Sequence, residues 1–210
     1  RKLVIALGAG AVIAPLAPFA QQSPARTYRI GFLGIPSAAG MATRLEALRA
    51  GLRELGYVEG KNLVIEVRYA EGQYARLPEL AAELVRLKVD VLVTHGSGIL
   101  AAKAATTTIP IVMGATGDAL ATGIVASLAK PGGNITGSTF FGPEINAKRL
   151  ELIKDLMPRA KRVAFLINPD VPIATFEPVL QAMAVTAKSL KAEVPQFRVR
   201  GPDEFESAFA

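Results

Sequence analysis

The feature that most restricts this chain is the order of its apolar runs: short strand-like runs alternate with one-sided helical patterns, joined by brief connections. Tyr28-Arg-Ile-Gly-Phe-Leu-Gly34 is an apolar run bounded by Gly and Pro, the pattern of a buried strand. Leu45, Leu48, Leu52 and Leu55 follow at helical spacing and set one stripe on a helix over residues 42–55, stopped by Gly56. In residues 62–69, Leu63, Ile65 and Val67 alternate with Val64, Glu66 and Arg68, which reads as a strand. A helix over 74–87 is carried by Leu77, Leu80, Leu84 and Leu87, and a β-branched strand spans 90–94. An Ala-rich helix over 97–106 and a strand over 109–113 complete the series, Pro110 being tolerable at a strand start. This order builds a mostly parallel sheet with helices on both faces and right-handed connections, a doubly wound α/β fold. A closed barrel needs about eight such units, more than the chain holds.

The pattern weakens from Gly114 to Gly142. Residues 121–128 read as a short helix, Lys130-Pro-Gly-Gly-Asn134 as a turn, and 135–141 as a strand leaving a first lobe. The alternation then restarts: helix 143–157, strand 162–167, helix 175–190, strand 193–199 and a helix opening at 202. Arg29-Ile-Gly-Phe-Leu-Gly34 and Arg162-Val-Ala-Phe-Leu-Ile167 are alike in kind, and each precedes a Pro-containing loop and a long helix. Two readings are open: two similar lobes, or the general likeness of buried parallel strands. The expected division is a signal peptide over 1–20, a linker over 21–27, a first lobe over 28–141 and a partial second lobe over 142–210.

Residues 1–20 read as an address. Arg1-Lys2 precedes an apolar stretch, Leu3 to Ala14, and a small-residue exit around Ala20, which describes a secretory signal and an extracytoplasmic or periplasmic product. Cleavage after Ala20 is the first choice, with Ser23-Pro-Ala25 a second exit. The apolar run is shorter than the ~20 residues that span a bilayer. The net charge of +6 is spread among acids without a basic run, so a nucleic-acid face is not expected. Without any Cys, disulfides, thiolate zinc sites and a thiol nucleophile are excluded, and the single His leaves little for acid–base or metal chemistry. No Gly-x-Ser-x-Gly elbow, Walker loop or His-Glu-x-x-His is present. Any catalysis would rest on carboxylates, and Glu46, Glu54, Glu59, Glu79 and Glu83 fall where solvated helix faces are expected. Neither an enzymatic role nor a cofactor is expected.

Ligands in open α/β sheets bind beyond the C-terminal ends of the strands. That rule selects the loops at 35–40, 94–98, 114–119, 139–141 and 168–172, all rich in small and hydrogen-bonding residues. Ser97 either caps the helix it opens or offers that helix terminus to an anion. Asp118 either pairs with a ligand amine or caps the segment after it. Phe140 and Phe141, adjacent in a strand, would face opposite sides, one in the core and one against a ligand. His95 reads as a structural or ligand-contact residue.

A series of stretches resembles one bacterial family. These are Tyr28 to Leu33, Gly51-Leu-Arg-Glu-Leu-Gly-Tyr-Val-Glu-Gly-Lys-Asn62, Leu77 to Val85, Thr108 to Val112, Ser127-Leu-Ala-Lys-Pro-Gly-Gly-Asn-Ile-Thr-Gly137, Lys148 to Leu152 and Gly201-Pro-Asp-Glu-Phe205. In this order and spacing they resemble the ABC transporter substrate-binding proteins of the tryptophan/tyrosine-type uptake group. The resemblance implies a two-lobed, type I periplasmic-binding-protein-like fold that captures a small molecule, with an amino acid as the family-level expectation. It implies a membrane permease of the inner membrane as partner and a monomer at full length. It also implies cleft-facing positions at Ser37, Gly96, Ser97, Asp118, Thr139, Phe140 and Asn168. Thr94-His-Gly-Ser97 and Ser138-Thr-Phe-Phe141 depart from the family pattern, which leaves the solute open. By the same resemblance, relatives run about a hundred residues further, so the second lobe is expected to be C-terminally truncated, with roughly two strands and an unfinished edge. The alternatives are a ligand-binding extracytoplasmic sensor module on the same fold and, less favoured, an exported carboxylate-based enzyme.

Overall fold

The computed structural model describes residues 26–209. The signal-peptide reading of residues 1–20, and the first part of the expected linker, lie outside the described residues. Within them no helix is long and apolar enough to cross a membrane.

Five strands form the larger sheet: β1 (Tyr28–Gly34), β2 (Leu63–Tyr69), β3 (Val91–Thr94), β4 (Ile111–Met113) and β5 (Ile135–Gly137). Their order is β2-β1-β3-β4-β5, every pairing is parallel, and β1 pairs on both sides. Three helices connect them: α1 (Ala38–Glu54), α2 (Leu77–Arg86) and α3 (Gly98–Ala105). Because side chains alternate across a strand, β1 feeds two cores. Leu33 joins a core with Leu80, Leu84 and Ile99 from α2 and α3. Phe32 joins a second core with Met41 and Leu45 from α1.

α2 shows why the sequence folds locally as it does. Leu77, Leu80, Ala81 and Leu84 bury one face, Pro78 sits where its missing N–H is harmless, and Glu79 and Arg86 occupy the ends that suit their charges. α1 begins earlier than its leucine stripe suggests, because Ser37 caps it by accepting a hydrogen bond from Gly40 N–H at 3.3 Å. Leu55 falls beyond its end and is 75% exposed. Gly56, at φ +85°, turns the chain away there.

Two expectations between the lobes are corrected. Residues 121–128 do not form a helix. Thr122 N–H closes one turn onto the Asp118 carbonyl at 3.0 Å. Gly123 at φ +68° then breaks it, and Ile124 and Val125 both donate back to the Ala119 carbonyl. The strand expected over 135–141 stops at Gly137, whose φ of +134° no side-chain-bearing residue adopts readily. Phe140 and Phe141 are therefore not on a strand, and both are exposed, at 59% and 54%. The expected turn at 130–134 is present, and Asn134 fixes it by donating to the carbonyls of Thr106 and Ile109 at 3.2 and 2.7 Å.

The second lobe repeats the opening unit of the first. β6 (Phe165–Ile167) and β7 (Gln196–Arg198) pair in parallel, linked through α5 (Glu177–Ser189), as β1 and β2 are linked through α1. α4 (Gly142–Leu156) packs on α5, and their core holds Leu150, Met183 and Ala187. A short helix, α6 (Phe205–Phe209), follows.

Gly137 is where the first sheet releases the chain toward α4. A Cβ there would overlap the Met113 backbone, its carbonyl oxygen nearest. Gly137→Ala is expected to lower stability by roughly 2–3 kcal/mol, read as a reduced midpoint in urea denaturation. Gly51→Ala, in open space on α1, should leave the midpoint unchanged or raise it.

Candidate functional site

The C-terminal ends of β1, β3, β4 and β5 lie on one rim of the sheet, and the loops leaving them meet there. Gly96 N–H donates to the Ala115 carbonyl at 2.9 Å, which ties the loop after β3 to the loop after β4. Phe140 N–H donates to the Thr116 carbonyl at 3.0 Å, bringing the segment after β5 alongside. Gly96 holds φ +51°, a left-handed conformation that favours glycine. Thr94 is buried, and its hydroxyl donates to the Leu33 carbonyl at 2.9 Å, locking β3 to β1 immediately below the rim.

Several of the residues expected at the ligand also build these loops. Ser37 caps α1. Asp118 Oδ1 accepts from the N–H groups of Leu120 and Ala121, both at 2.9 Å, so it caps the segment that follows. Thr139 Oγ1 donates to the Gly117 carbonyl at 2.6 Å and accepts from Ala119 N–H at 2.9 Å. Asn168 Oδ1 accepts from Asp170 N–H at 2.9 Å, an Asx turn in the second lobe.

Ser97 differs. It makes no capping bond to α3. Its buried hydroxyl lies 3.3 Å from that of Thr175, in a single 3-10 turn (Ile173–Thr175) of the second lobe. The two lobes therefore meet through a pair of neutral hydroxyls. A second approach joins them: Tyr74, before α2, is shifted upward in pKa by burial and then by the negative charge of Asp170, in the loop after β6.

Two cavities open at this rim. One, of about 560 Å³, lies between the lobes and is lined by Gly117, Phe140, Arg149, Phe165, Thr175 and Phe176 among others. The other, of about 520 Å³, lies under α1 and includes Met41, Arg44, His95 and Gly114 in its wall. Of the seven expected positions, Phe140 lines the first cavity, and Ser97 borders it through its contact with Thr175, which lines it. Ser37, Asp118, Thr139 and Asn168 line neither. Sequence reasoning missed Thr175, Phe176 and Arg149. The sequence pattern places Thr175 at a helix start, yet Pro178 at the first turn of α5 marks that start at Glu177, and Thr175 closes the 3-10 turn before it.

Among the described residues no group of three His, Cys, Asp or Glu could hold a metal. Glu46 and Glu59 both pair with Arg49 at 2.8 Å, and Glu83 pairs with Arg68 at 2.8 Å. His95 is half-buried, and its pKa is pushed below the ordinary histidine value, first by burial and then by the positive charge of Arg44.

A family model described as ABC transporter substrate binding protein matches residues 29–210. The chain belongs to this family. Among curated proteins, a tyrosine-binding protein of Clostridioides difficile (strain R20291) is 36% identical over 118 residues, covering 56% of this chain and 34% of that protein. A solved conserved domain protein from Vibrio cholerae superposes with a TM-score of 0.74 at 28% identity, over 87% of this chain and 61% of the other. An ABC domain from Streptococcus pneumoniae in complex with L-Trp superposes at 0.71 with 25% identity, over 87% and 60%. This member of the substrate-binding family thus spans about a third of the curated relative and about 60% of each solved one. The parallel α/β sheet read from the order of strands and helices is observed, and so is the two-lobed periplasmic-binding-protein-like fold implied by the resemblance, with two strands in the second lobe's sheet.

His95 gives a pH prediction. Its folded pKa is lowered, so its contribution to stability is present above the unfolded histidine pKa and is lost as pH falls through the lowered folded value. As the single histidine, it gives one imidazole titration by NMR, whose midpoint should lie below about 6.5. Denaturation midpoints of His95→Gln should decline less than wild type on the acid side. An ordinary titration with equal acid sensitivity would refute this.

Proposed function

We infer that this chain is the solute-capturing component of an ABC-type importer, holding a small aromatic or apolar amino acid between its lobes. The observation that carries the reading is the junction itself: two neutral hydroxyls, Ser97 and Thr175, meet at 3.3 Å beside a cavity walled by Phe140, Phe165 and Phe176. Family membership supports the transport assignment, and the named ligands of two relatives, tyrosine and L-Trp, support the solute class.

A solute entering between the lobes would replace weak lobe-to-lobe contacts with its own and favour the closed arrangement. Aromatic side chains provide apolar area and ring faces, and hydroxyls fix orientation without committing to proton transfer. Binding without turnover is the expected outcome. Residues 1–20 would direct export, and the loaded protein would dock on a permease in the inner membrane whose partner subunits hydrolyse ATP.

Calorimetry against L-tyrosine, L-tryptophan and L-leucine tests this. At least one should bind and be recovered unchanged. Phe140→Ala should weaken an aromatic solute by about 2- to 10-fold, the size of one ring contact. A folded sample that binds none of the three, or that converts one to product, would overturn the reading.

A further inference from the structure

α4 carries apolar side chains on two sides. Leu150, on one, is buried in the core shared with α5. On the other, Ile145, Leu152 and Leu156 recur at helical spacing and stand in one row down the helix, with Arg149 between the first two. Phe141, at the N-cap of α4, extends the row by a turn. Phe141, Ile145, Leu152 and Leu156 are all exposed, Leu156 to 83%. A solvated helix face ordinarily carries charged and polar side chains, and a continuous exposed apolar row marks a surface that takes a partner. A monomer, the state the resemblance implies at full length, would leave the row in water.

The charges beside the row select the partner and its direction. Lys148 and Asp155 lie on one edge of it, seven residues apart, and both are exposed. Asp155 makes no ion pair among the described residues. Lys148 reaches Glu151 of its own helix at 2.8 Å, and an exposed pair of that kind contributes little and exchanges readily. A second copy of α4 laid antiparallel, about a two-fold axis between Leu150 and Glu151, sets Leu156 of each copy against Ile145 of the other. It sets Leu152 of each against Arg149 of the other, whose stem can cover apolar surface while its guanidinium stays in water. The same operation brings Lys148 of each copy beside Asp155 of the other, twice over, because a two-fold axis repeats every contact. A parallel arrangement would instead oppose like charges, Lys148 to Lys148 and Asp155 to Asp155. Antiparallel helices also oppose their macrodipoles.

We propose that the outward face of α4 is a self-association surface, on which a second copy of this chain docks antiparallel to form a two-fold dimer. Ile145, Leu152 and Leu156 supply its apolar centre, and Lys148 with Asp155 the flank that fixes direction. The surface ends at the edge of the inter-lobe cavity, whose wall takes in Ile145 and Arg149. The proposal does not rest on the capture reading, and it is tested without solute.

Sedimentation velocity of the whole chain, run over a dilution series, should show a monomer–dimer equilibrium. Leu152→Glu and Leu156→Glu should each weaken the dimer by about tenfold or more, the size of a central apolar contact. Val185→Glu, at an exposed position of α5 outside the row, should leave it unchanged. Lys148→Glu and Asp155→Lys should each weaken the dimer, and the two together should restore most of the loss, since the exchange rebuilds the same opposite-charge pairs. The replaced side chains are all exposed, so the fold should hold, checked by circular dichroism. A dimer indifferent to Leu152→Glu and Leu156→Glu, or growth beyond two copies, would overturn the proposal. Failure of the double charge exchange to restore association would overturn the antiparallel pairing. A monomer at every concentration would overturn the dimer. Flotation of that monomer with phosphatidylglycerol vesicles, lost in Leu156→Glu, would then assign the face to a membrane surface.

Discussion

Parallel pairing of β1 on both of its edges is the constraint on which the rest depends. A strand bonded in parallel to β2 and β3 has its C-terminal end beside theirs, and each further parallel strand adds its end to the same rim. The loops must then emerge together. Thr94 reinforces this just beneath the rim by donating its hydroxyl to the Leu33 carbonyl. Gly98 is tied to the same point, since a Cβ there would overlap that hydroxyl. The crevice is thus a consequence of strand direction, and the loop sequences decide only what lines it.

The two lobes differ in how firmly they are built. The first has cores on both sheet faces, each anchored by a completely or nearly completely buried residue of β1. The second has a core cluster of Leu150, Met183 and Ala187, with Ile167 and Val199 also buried, and a two-stranded sheet, while Leu156 and Val185 lie 83% and 72% exposed. A unit with so small a core gains much from its neighbour, yet the side-chain contacts that hold it to the first lobe are few and mostly uncharged. Small, polar junctions of this kind permit relative motion of lobes.

How much of this was legible in the sequence varies with the kind of information involved. Strand and helix order was readable because burial imposes a period, and the leucines of α2 carry that period without ambiguity. The region from 121 to 141 was not, because its course is set by hydrogen bonds between distant segments and by backbone angles at Gly123 and Gly137 that no side-chain pattern reports. The site was legible as a set of loops and poorly legible as a set of side chains. Ser97 was found because it opens a helix after a strand. Its partner Thr175 was lost to a helix boundary misplaced by two residues. Arg44 and Met41 sit inside α1, where a sequence reading looks for packing and solvation, not for a cavity wall.

The polar residues of the rim divide according to what they already hold. Ser37, Asp118, Thr139 and Asn168 each spend a side-chain oxygen on a nearby backbone group, and these bonds shape the turns that carry the loops. Turn-forming residues and ligand-binding residues are the same few types, because both tasks need a short side chain that hydrogen-bonds close to the backbone. Composition alone therefore cannot separate them, and only the partner of each oxygen can. By that criterion the Ser97–Thr175 hydroxyls differ from these four, since they bond each other and not a nearby backbone group, and their contact at 3.3 Å is long enough to yield to a better partner. Substitutions at the turn-forming residues are therefore expected to act first on loop shape and stability.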